Sequence, residues 1–131
     1  MILVDTCVLL DIFTADPQWL GWSKDALQSH SLLGLAICDV VFAELSAVFP
    51  TVEAEIQTLE KMRISILRPS PKALFGAGQA FLGYKKNRGT AKLILPDFFI
   101  GAHAQAERLS LVTRDCERYR TYFPDVQLIC P

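Results

Sequence analysis

The chain has 131 residues, of which 51% are hydrophobic, and a formal net charge of −1. This length and apolar content suit a single domain over residues 1–131 with a sizeable core, and they exclude a chain that is disordered throughout. A net charge near zero argues neither for nor against a nucleic-acid partner, because acids gathered in one site would mask a mildly basic surface elsewhere.

The cysteines and the N-terminus bear on the cellular compartment. The four cysteines show no CxxC pair and no zinc-type spacing. Cys7 and Cys38 lie in apolar runs, where a free cysteine behaves as a small hydrophobe, and we expect no disulfide framework. The N-terminus lacks the regions of a signal peptide, and no stretch reaches the ~20 apolar residues of a membrane span. We therefore expect a cytoplasmic protein with no membrane partner.

The first half of the chain alternates between strand-like and helix-like segments. In chain order, the pattern predicts a strand over 1–4, a short helix over 8–13, a helix from Asp16 and Pro17 to about Ser29, a strand over 32–38, a helix over 40–49, a helix from Thr51 to about Met62 and a strand over 64–67. An aspartate followed by proline is typical of a helix start, since aspartate caps the first turn and proline suits the first helical position.

The second half continues this alternation. It predicts a helix from Pro71 to about Lys86, a loop over 87–95, a helix over 97–109, a strand over 111–113, a short helix over 115–123 and a last strand over 126–129. Strands that alternate with helices indicate an α/β fold, here a three-layer α/β/α sandwich around a mainly parallel central sheet.

Four acids fall near the predicted carboxyl ends of strands. Asp5 directly follows the first strand, and Asp115 follows the strand over 111–113. Glu44 lies about one turn into the helix after the second strand, and Asp97 begins a later helix. In open parallel sheets, ligands bind in the crevice outside the carboxyl ends of the strands, so these acids can converge there.

Each acid also has a simpler interpretation. Asp97 and Asp115 stand where helix caps stand, and Glu44 fits the solvent-facing stripe of its helix. Asp5 is harder to explain in this way, because an acid between two apolar runs is nearly buried and needs a partner. Asp11 has a similar appearance, and we interpret it as a local turn or capping residue.

A convergent set of acids has a definite chemistry. Carboxylates repel one another unless a cation or protons neutralise them, and an all-oxygen ligand set suits a hard cation such as Mg²⁺ or Mn²⁺. Such an ion lowers the pKa of a bound water and stabilises charge on a phosphate, so the implied reaction is phosphodiester hydrolysis.

The segments that carry the acids resemble the PIN-domain nucleases and, within them, the VapC-type toxins of toxin–antitoxin pairs. The resemblance begins with Met-Ile-Leu-Val-Asp-Thr at 1–6 and includes Val-Val-Phe-Ala-Glu-Leu at 40–45. It is strongest from Leu-Pro-Asp-Phe-Phe-Ile-Gly-Ala-His-Ala at 95–104 through Leu-Val-Thr-Arg-Asp at 111–115, and it includes the tail at 118–124.

The resemblance implies a PIN-like three-layer fold, a homodimer, cleavage of RNA, and inhibition by a co-expressed antitoxin that covers the active site. It also implies Mg²⁺ or Mn²⁺ held by the matching acids of this chain, which are Asp5, Glu44, Asp97 and Asp115.

Two hydroxyls and two departures from the family pattern flank the acids. Thr6 and Thr113 match small hydroxyl positions that support a carboxylate or a water, although a local turn bond explains them equally well. Cys7 stands where a small polar residue is common. Cys-Glu-Arg follows Asp115 where some relatives have a further acid, so Glu117 is a candidate substitute and the number of metal ions stays open.

Basic residues supply candidate contacts to RNA phosphates. Those around the glycine-containing loop ahead of the 97–109 helix are Lys85, Lys86, Arg88 and Lys92. Arg114 is a weaker candidate for the same role. The alternative is a solvated helix end, where Lys85 and Lys86 complement the helix dipole. His103 lies six residues after Asp97, about 240° round the helix, which predicts a core or interface histidine rather than a ligand or base.

The leading prediction is a metal-dependent endoribonuclease, the toxin of a toxin–antitoxin pair, with RNA and a cognate antitoxin as partners. One alternative is a PIN nuclease of RNA processing. Another is a Mg²⁺-dependent phosphoryl-transfer domain, but the chain lacks the Asp-x-Asp of the phosphatases and the late strand-end lysine of the receivers. The presence of all four acids counts against a third alternative, an inactive PIN-like binding module.

Overall fold

The secondary structure alternates between strand and helix, as the sequence predicts. The computed structural model describes residues 1–87 and 94–131. The strands of these segments are β1 (Ile2–Val4), β2 (Leu35–Cys38), β3 (Ile64–Leu67), β4 (Ser110–Val112) and β5 (Leu128–Ile129). Their α-helices are α1 (Thr6–Phe13), α2 (Leu20–His30), α3 (Asp39–Leu45), α4 (Val52–Lys61), α5 (Pro71–Asn87), α6 (Leu95–Glu107) and α7 (Glu117–Arg120).

The strands form one sheet in the order β3-β2-β1-β4-β5, and every pairing between neighbours is parallel. In the central strand, Leu3 pairs with Ala36 on one side and with Leu111 on the other. All three residues are fully buried, as expected for a parallel sheet with helices on both faces. The predicted α/β/α sandwich is therefore confirmed.

The strand order creates a crevice at the centre of the sheet. The chain proceeds from β1 through β2 to β3 on one side, and it then returns to the other side for β4 and β5. Neighbouring strands whose connections leave in opposite directions form a topological switch point, which here lies between β1 and β4. Asp5 follows β1 and Thr113 follows β4, so both lie at the mouth of this crevice.

An aromatic cluster anchors the start of α6 against its neighbours. The Phe98 ring centroid lies 5.4 Å from that of Phe81, 5.5 Å from those of Tyr84 and Tyr122, and 6.2 Å from that of Phe123. On the same helix, a side chain on Gly101 would overlap the Phe123 ring, so only glycine permits this close packing. The packing of Phe98, the residue after Asp97, therefore fixes the position of α6.

Some helix boundaries differ from the predicted ones for local reasons. Asp16 Oδ1 accepts hydrogen bonds from the N–H groups of Gln18 and Trp19, each at 2.9 Å, and closes a separate turn. Helix α2 consequently begins at Leu20, later than predicted. Helix α6 begins earlier than predicted, so that Asp97 lies in its first turn and not at its cap.

The prediction that no cysteines are paired is wrong for two of them. A disulfide bond joins Cys116 to Cys130, with the two Cα atoms 6.2 Å apart. This bond ties the residue after β5 to the segment that leads into α7. Cys7 and Cys38 are free, as expected. Across the two described segments, no helix combines the length and the apolarity needed to cross a membrane.

Candidate active site

The four predicted acids line one pocket of about 330 Å³ at the central crevice of the sheet. Asp5 comes from the end of β1, Glu44 from α3, Asp97 from the first turn of α6, and Asp115 from the loop between β4 and α7. The side chains of Arg114 and Arg118 also line the pocket. The fold thus brings together acids that are far apart in the sequence.

Asp5 is buried and is held by several donors. Its Oδ1 accepts a hydrogen bond from the Thr6 N–H at 2.7 Å. Its Oδ2 accepts one from the Thr113 hydroxyl at 2.7 Å and one from the Tyr119 hydroxyl at 3.1 Å. Burial raises the pKa of Asp5, and these hydroxyl hydrogen bonds oppose the rise. The carboxylate is therefore oriented in advance by the fold.

The two threonine hydroxyls connect the acids to one another. Thr6 Oγ1 donates to Glu44 Oε1 at 2.7 Å, across 38 positions of sequence, so it is not engaged in a local turn bond. Thr113 Oγ1 donates to Asp5 and also accepts a hydrogen bond from the Asp115 N–H at 3.0 Å. Thr113 therefore makes both of the contacts considered for it: it supports the Asp5 carboxylate, and it forms a local turn bond with the Asp115 N–H.

Asp97 acts on its own helix and also faces the pocket. Its Oδ2 accepts a hydrogen bond from the Ile94 N–H at 3.0 Å, which satisfies a backbone donor ahead of α6. Burial raises the pKa of Asp97, while the hydrogen bond from Ile94 and the charge of Arg118 lower it. The second oxygen, Oδ1, lies 3.6 Å from Arg118 Nη1 inside the pocket.

Asp115 is the most accessible of the three aspartates. Its side chain is 34% exposed, and its two oxygens lie 3.9 Å from Arg118 Nε and 4.0 Å from Arg114 Nη1. Helix α7 begins two positions later, with Cys116 at the cap position, so Asp115 does not stand at that helix cap. Its carboxylate faces the pocket instead.

Asp11 is not the local turn residue that its sequence context indicates. It is 2% exposed, and its carboxylate accepts hydrogen bonds from Arg114 Nε at 3.0 and 3.2 Å and from the Ser23 hydroxyl at 2.9 Å. The Arg114 guanidinium also lies over the Trp19 ring, 5.6 Å from its centroid. The interpretation of Asp11 was wrong because its main partner is 103 positions away in the sequence.

Lys85, Lys86 and Glu117 are candidate residues that do not line the pocket. Lys85 and Lys86 are exposed near the end of α5, and Lys85 Nζ lies 4.8 Å from the centroid of the Phe81 ring. Arg88 and Lys92 fall outside the described residues. Glu117 is largely exposed and forms an ion pair with Arg120. It therefore does not take the place of the further acid that some relatives have after the residue matching Asp115.

His103 occupies the core, as predicted. It is fully buried, and its Nε2 lies 3.0 Å from Glu107 Oε2 on the same helix. It does not line the carboxylate pocket.

Sequence reasoning missed the contributions of α7. Arg118 and Tyr119 come from the short segment that follows Asp115, and they lie three and four positions beyond it, respectively. Residues at these spacings share one face of a helix, so the spacing indicates that both side chains lie on the side of Asp115, although it does not indicate the contact of Tyr119 with Asp5.

The donor set has the right chemistry for a divalent cation. Within the described residues, no three His, Cys, Asp or Glu side chains stand close enough together to form a ready-made metal cluster. Burial is the main cause that raises the pKa of Asp5 and of Asp97, and a neighbouring carboxylate adds to each rise, Asp97 for Asp5 and Asp115 for Asp97. Carboxylate oxygens under mutual repulsion fit Mg²⁺ or Mn²⁺, provided that they close around the ion.

The comparisons with known proteins identify the family. The family model described as the PIN domain matches residues 2–124, and the chain therefore belongs to the PIN-domain family. This membership disfavours the receiver and phosphatase alternatives. A search among curated proteins gave no match.

Solved structures with the same fold include several toxin–antitoxin assemblies. VapBC2 from Rickettsia felis, solved with a DNA fragment from its promoter, is 22% identical with a TM-score of 0.74, covering 99% of this chain and 98% of that one. VapBC-1 from nontypeable Haemophilus influenzae is 20% identical with a TM-score of 0.73 and the same coverage. A toxin–antitoxin complex from Klebsiella pneumoniae is 25% identical with a TM-score of 0.68, covering 92% of each chain.

Proposed function

We propose that this protein is a metal-dependent endoribonuclease and the toxin of a toxin–antitoxin pair. The observation that carries this proposal is the meeting of Asp5, Glu44, Asp97 and Asp115 in one pocket, at the switch point of a PIN fold. The similarity to solved VapBC assemblies supports the toxin assignment.

The pocket residues have distinct roles in this proposal. Asp5, Asp97 and Asp115, with Glu44, would hold Mg²⁺ or Mn²⁺. When bound, such an ion acts as a Lewis acid and lowers the pKa of water at the site. Thr6 and the hydroxyls around Asp5 fix the orientation of the carboxylates, which matters because catalytic groups act through preorganised geometry.

Hydrolysis of an RNA phosphodiester joins the oxygen of a water to phosphorus and breaks one P–O ester bond. The water loses a proton to a pocket carboxylate, and the leaving oxygen gains one. Glu44 is suited to accept the proton, because it is only partly buried and Thr6 fixes the position of its Oε1. His103 takes no part, since its ring is packed in the core.

The proposed partners are RNA, a cognate antitoxin and a second copy of this chain. The exposed ammonium groups of Lys85 and Lys86 suit contacts with RNA phosphates, which would make binding depend on salt. Large apolar side chains such as Leu32, 100% exposed, and Phe75, 71% exposed, suit contacts with protein partners.

The direct test is RNA cleavage by Asp97→Asn beside the parent protein. Asparagine can still accept the hydrogen bond from Ile94, so the fold should persist while activity falls about 100-fold or more. Asp25→Asn is the matched control, because Asp25 is exposed on α2. The parent should also lose activity in excess EDTA and regain it with Mn²⁺.

Two results would contradict the proposal. One is cleavage by Asp97→Asn at the parental rate, and the other is parental cleavage that persists in EDTA. Expression in a bacterial host separates a toxin from an RNA-processing nuclease, because only a toxin should arrest growth and only with its acids intact.

A further inference from the structure

Arg118 occupies the space between two carboxylates of the pocket. Its Nη1 lies 3.6 Å from Asp97 Oδ1, and its Nε lies 3.9 Å from Asp115 Oδ2. The side chain extends from α7 and is 45% exposed, so it is open to solvent and to any ligand that enters the pocket. Arg118 thus contributes positive charge where the negative charge of the site concentrates.

The two arginines of the pocket are held in different ways. Arg114 is anchored by the buried Asp11 at 3.0 and 3.2 Å and lies over the Trp19 ring. Among the described residues, the Arg118 side chain forms ion pairs with Asp97 at 3.6 Å and with Asp115 at 3.9 Å, both beyond the roughly 2.7–2.9 Å that is typical of charge-assisted hydrogen bonds. Arg118 is therefore retained by charge more than by fixed geometry, and it is free to reorient.

The contacts of Arg118 place it in competition with a divalent ion. A cation bound by Asp97 and Asp115 would need the same oxygens that Arg118 now faces, and two cations at one site repel each other. A displaced guanidinium beside a phosphate has a ready partner, because its planar fork binds two phosphate oxygens at once.

We propose that Arg118 is the second cation of the active site. Before substrate binds it balances Asp97 and Asp115, and with a divalent ion on these acids its guanidinium would contact the scissile phosphate instead. This inference rests on the proposed function. An arginine would then supply the charge that a second metal ion would otherwise supply, since cationic groups at a reacting phosphate stabilise its transition state.

The test compares Arg118→Gln with Arg120→Gln, a matched change on the same helix at an exposed residue that does not line the pocket. Calorimetric titration with Mn²⁺ should show about 3- to 10-fold tighter binding to Arg118→Gln, because one competing cation is gone. Single-turnover RNA cleavage by the same variant should be about 100-fold slower. Arg120→Gln should match the parent in both measurements.

The opposite signs of these two effects distinguish the proposal from a structural role, which would weaken metal binding and cleavage together. Arg118→Lys keeps the charge without the fork, and it should bind Mn²⁺ like the parent and cleave at an intermediate rate. Thermal melting of each variant checks that it is folded.

The inference is overturned if folded Arg118→Gln binds Mn²⁺ no more tightly than the parent, or if it cleaves RNA at the parental rate. Should the parent bind Mn²⁺ and cleave RNA while Arg118→Gln behaves identically, only this inference fails. Should the parent bind no Mn²⁺ at all, the metal-dependent function fails, and the role of Arg118 fails with it.

Discussion

The two ends of the carboxylate pocket are built on different principles. At the β1 end, Asp5 is 6% exposed and is held by backbone and hydroxyl donors at 2.7–3.1 Å. At the α7 end, Asp115 is 34% exposed, and its ion-pair partners lie 3.9 and 4.0 Å away. The first end is set before any ligand arrives, and the second can adjust to one. The pocket thus combines a fixed end at Asp5, called the anchor below, with an adjustable end at Asp115, called the adaptable face.

The largest predicted effect contrasts the two ends directly. Asp5→Asn should reduce RNA cleavage by about 1,000-fold, because it alters the anchor, whereas Asp115→Asn should reduce it by about 100-fold. Single-turnover rates at saturating Mn²⁺ measure both, with Asp25→Asn as the control. Equal losses at the two positions would show that the distinction between anchor and adaptable face is not functional.

The disulfide near the α7 end should stabilise the fold, mainly because it restricts the unfolded chain. Cys130→Ser removes the bond to Cys116, which closes a loop with a sequence separation of 14, and should lower the free energy of unfolding by about 2–3 kcal/mol. Urea unfolding in non-reducing buffer measures the change. In buffer with a strong reductant, the parent and the variant should have nearly the same stability. A difference that persists there would mean that the bond is not its source.

A smaller effect is expected at the anchor. Tyr119→Phe deletes one hydrogen bond to Asp5 and should lower the free energy of unfolding by about 1 kcal/mol and cleavage several-fold. The Tyr119 hydroxyl lowers the pKa of Asp5, which burial raises, so its loss should raise that pKa further. Asp5 then accepts a proton at higher pH, and activity should fall off earlier on acidification.

A pH–rate profile checks this sign. The acidic limb of Tyr119→Phe should lie at higher pH than that of the parent, whereas Tyr122→Phe, in the aromatic cluster outside the pocket, should leave the limb in place. A limb that stays in place or moves to lower pH in Tyr119→Phe would show that this hydroxyl does not tune Asp5.

Much of the secondary structure could be predicted from local sequence patterns. The bounds of β3 match the prediction, and β1 ends before Asp5 as expected, because short apolar runs bounded by polar residues indicate strands. The convergence of the four acids followed from the rule for strand ends, once the alternation of strands and helices was recognised.

The interactions that tune the site could not be predicted, because they join distant parts of the chain. Asp11 and Arg114 are 103 positions apart, and the pairing of Cys116 with Cys130 has no local spacing signature. The contact from Tyr119 to Asp5 depends on how α7 packs against β1, which no periodicity records.

The central claim is that this pocket binds a divalent ion through its carboxylates, and anomalous diffraction from crystals grown with Mn²⁺ tests it most directly. The account predicts a Mn²⁺ peak in the pocket, coordinated by oxygens of Asp5 and Asp97, that disappears in Asp97→Asn crystals. A pocket without Mn²⁺ at concentrations that support RNA cleavage, or a peak bound elsewhere on the chain, would contradict it.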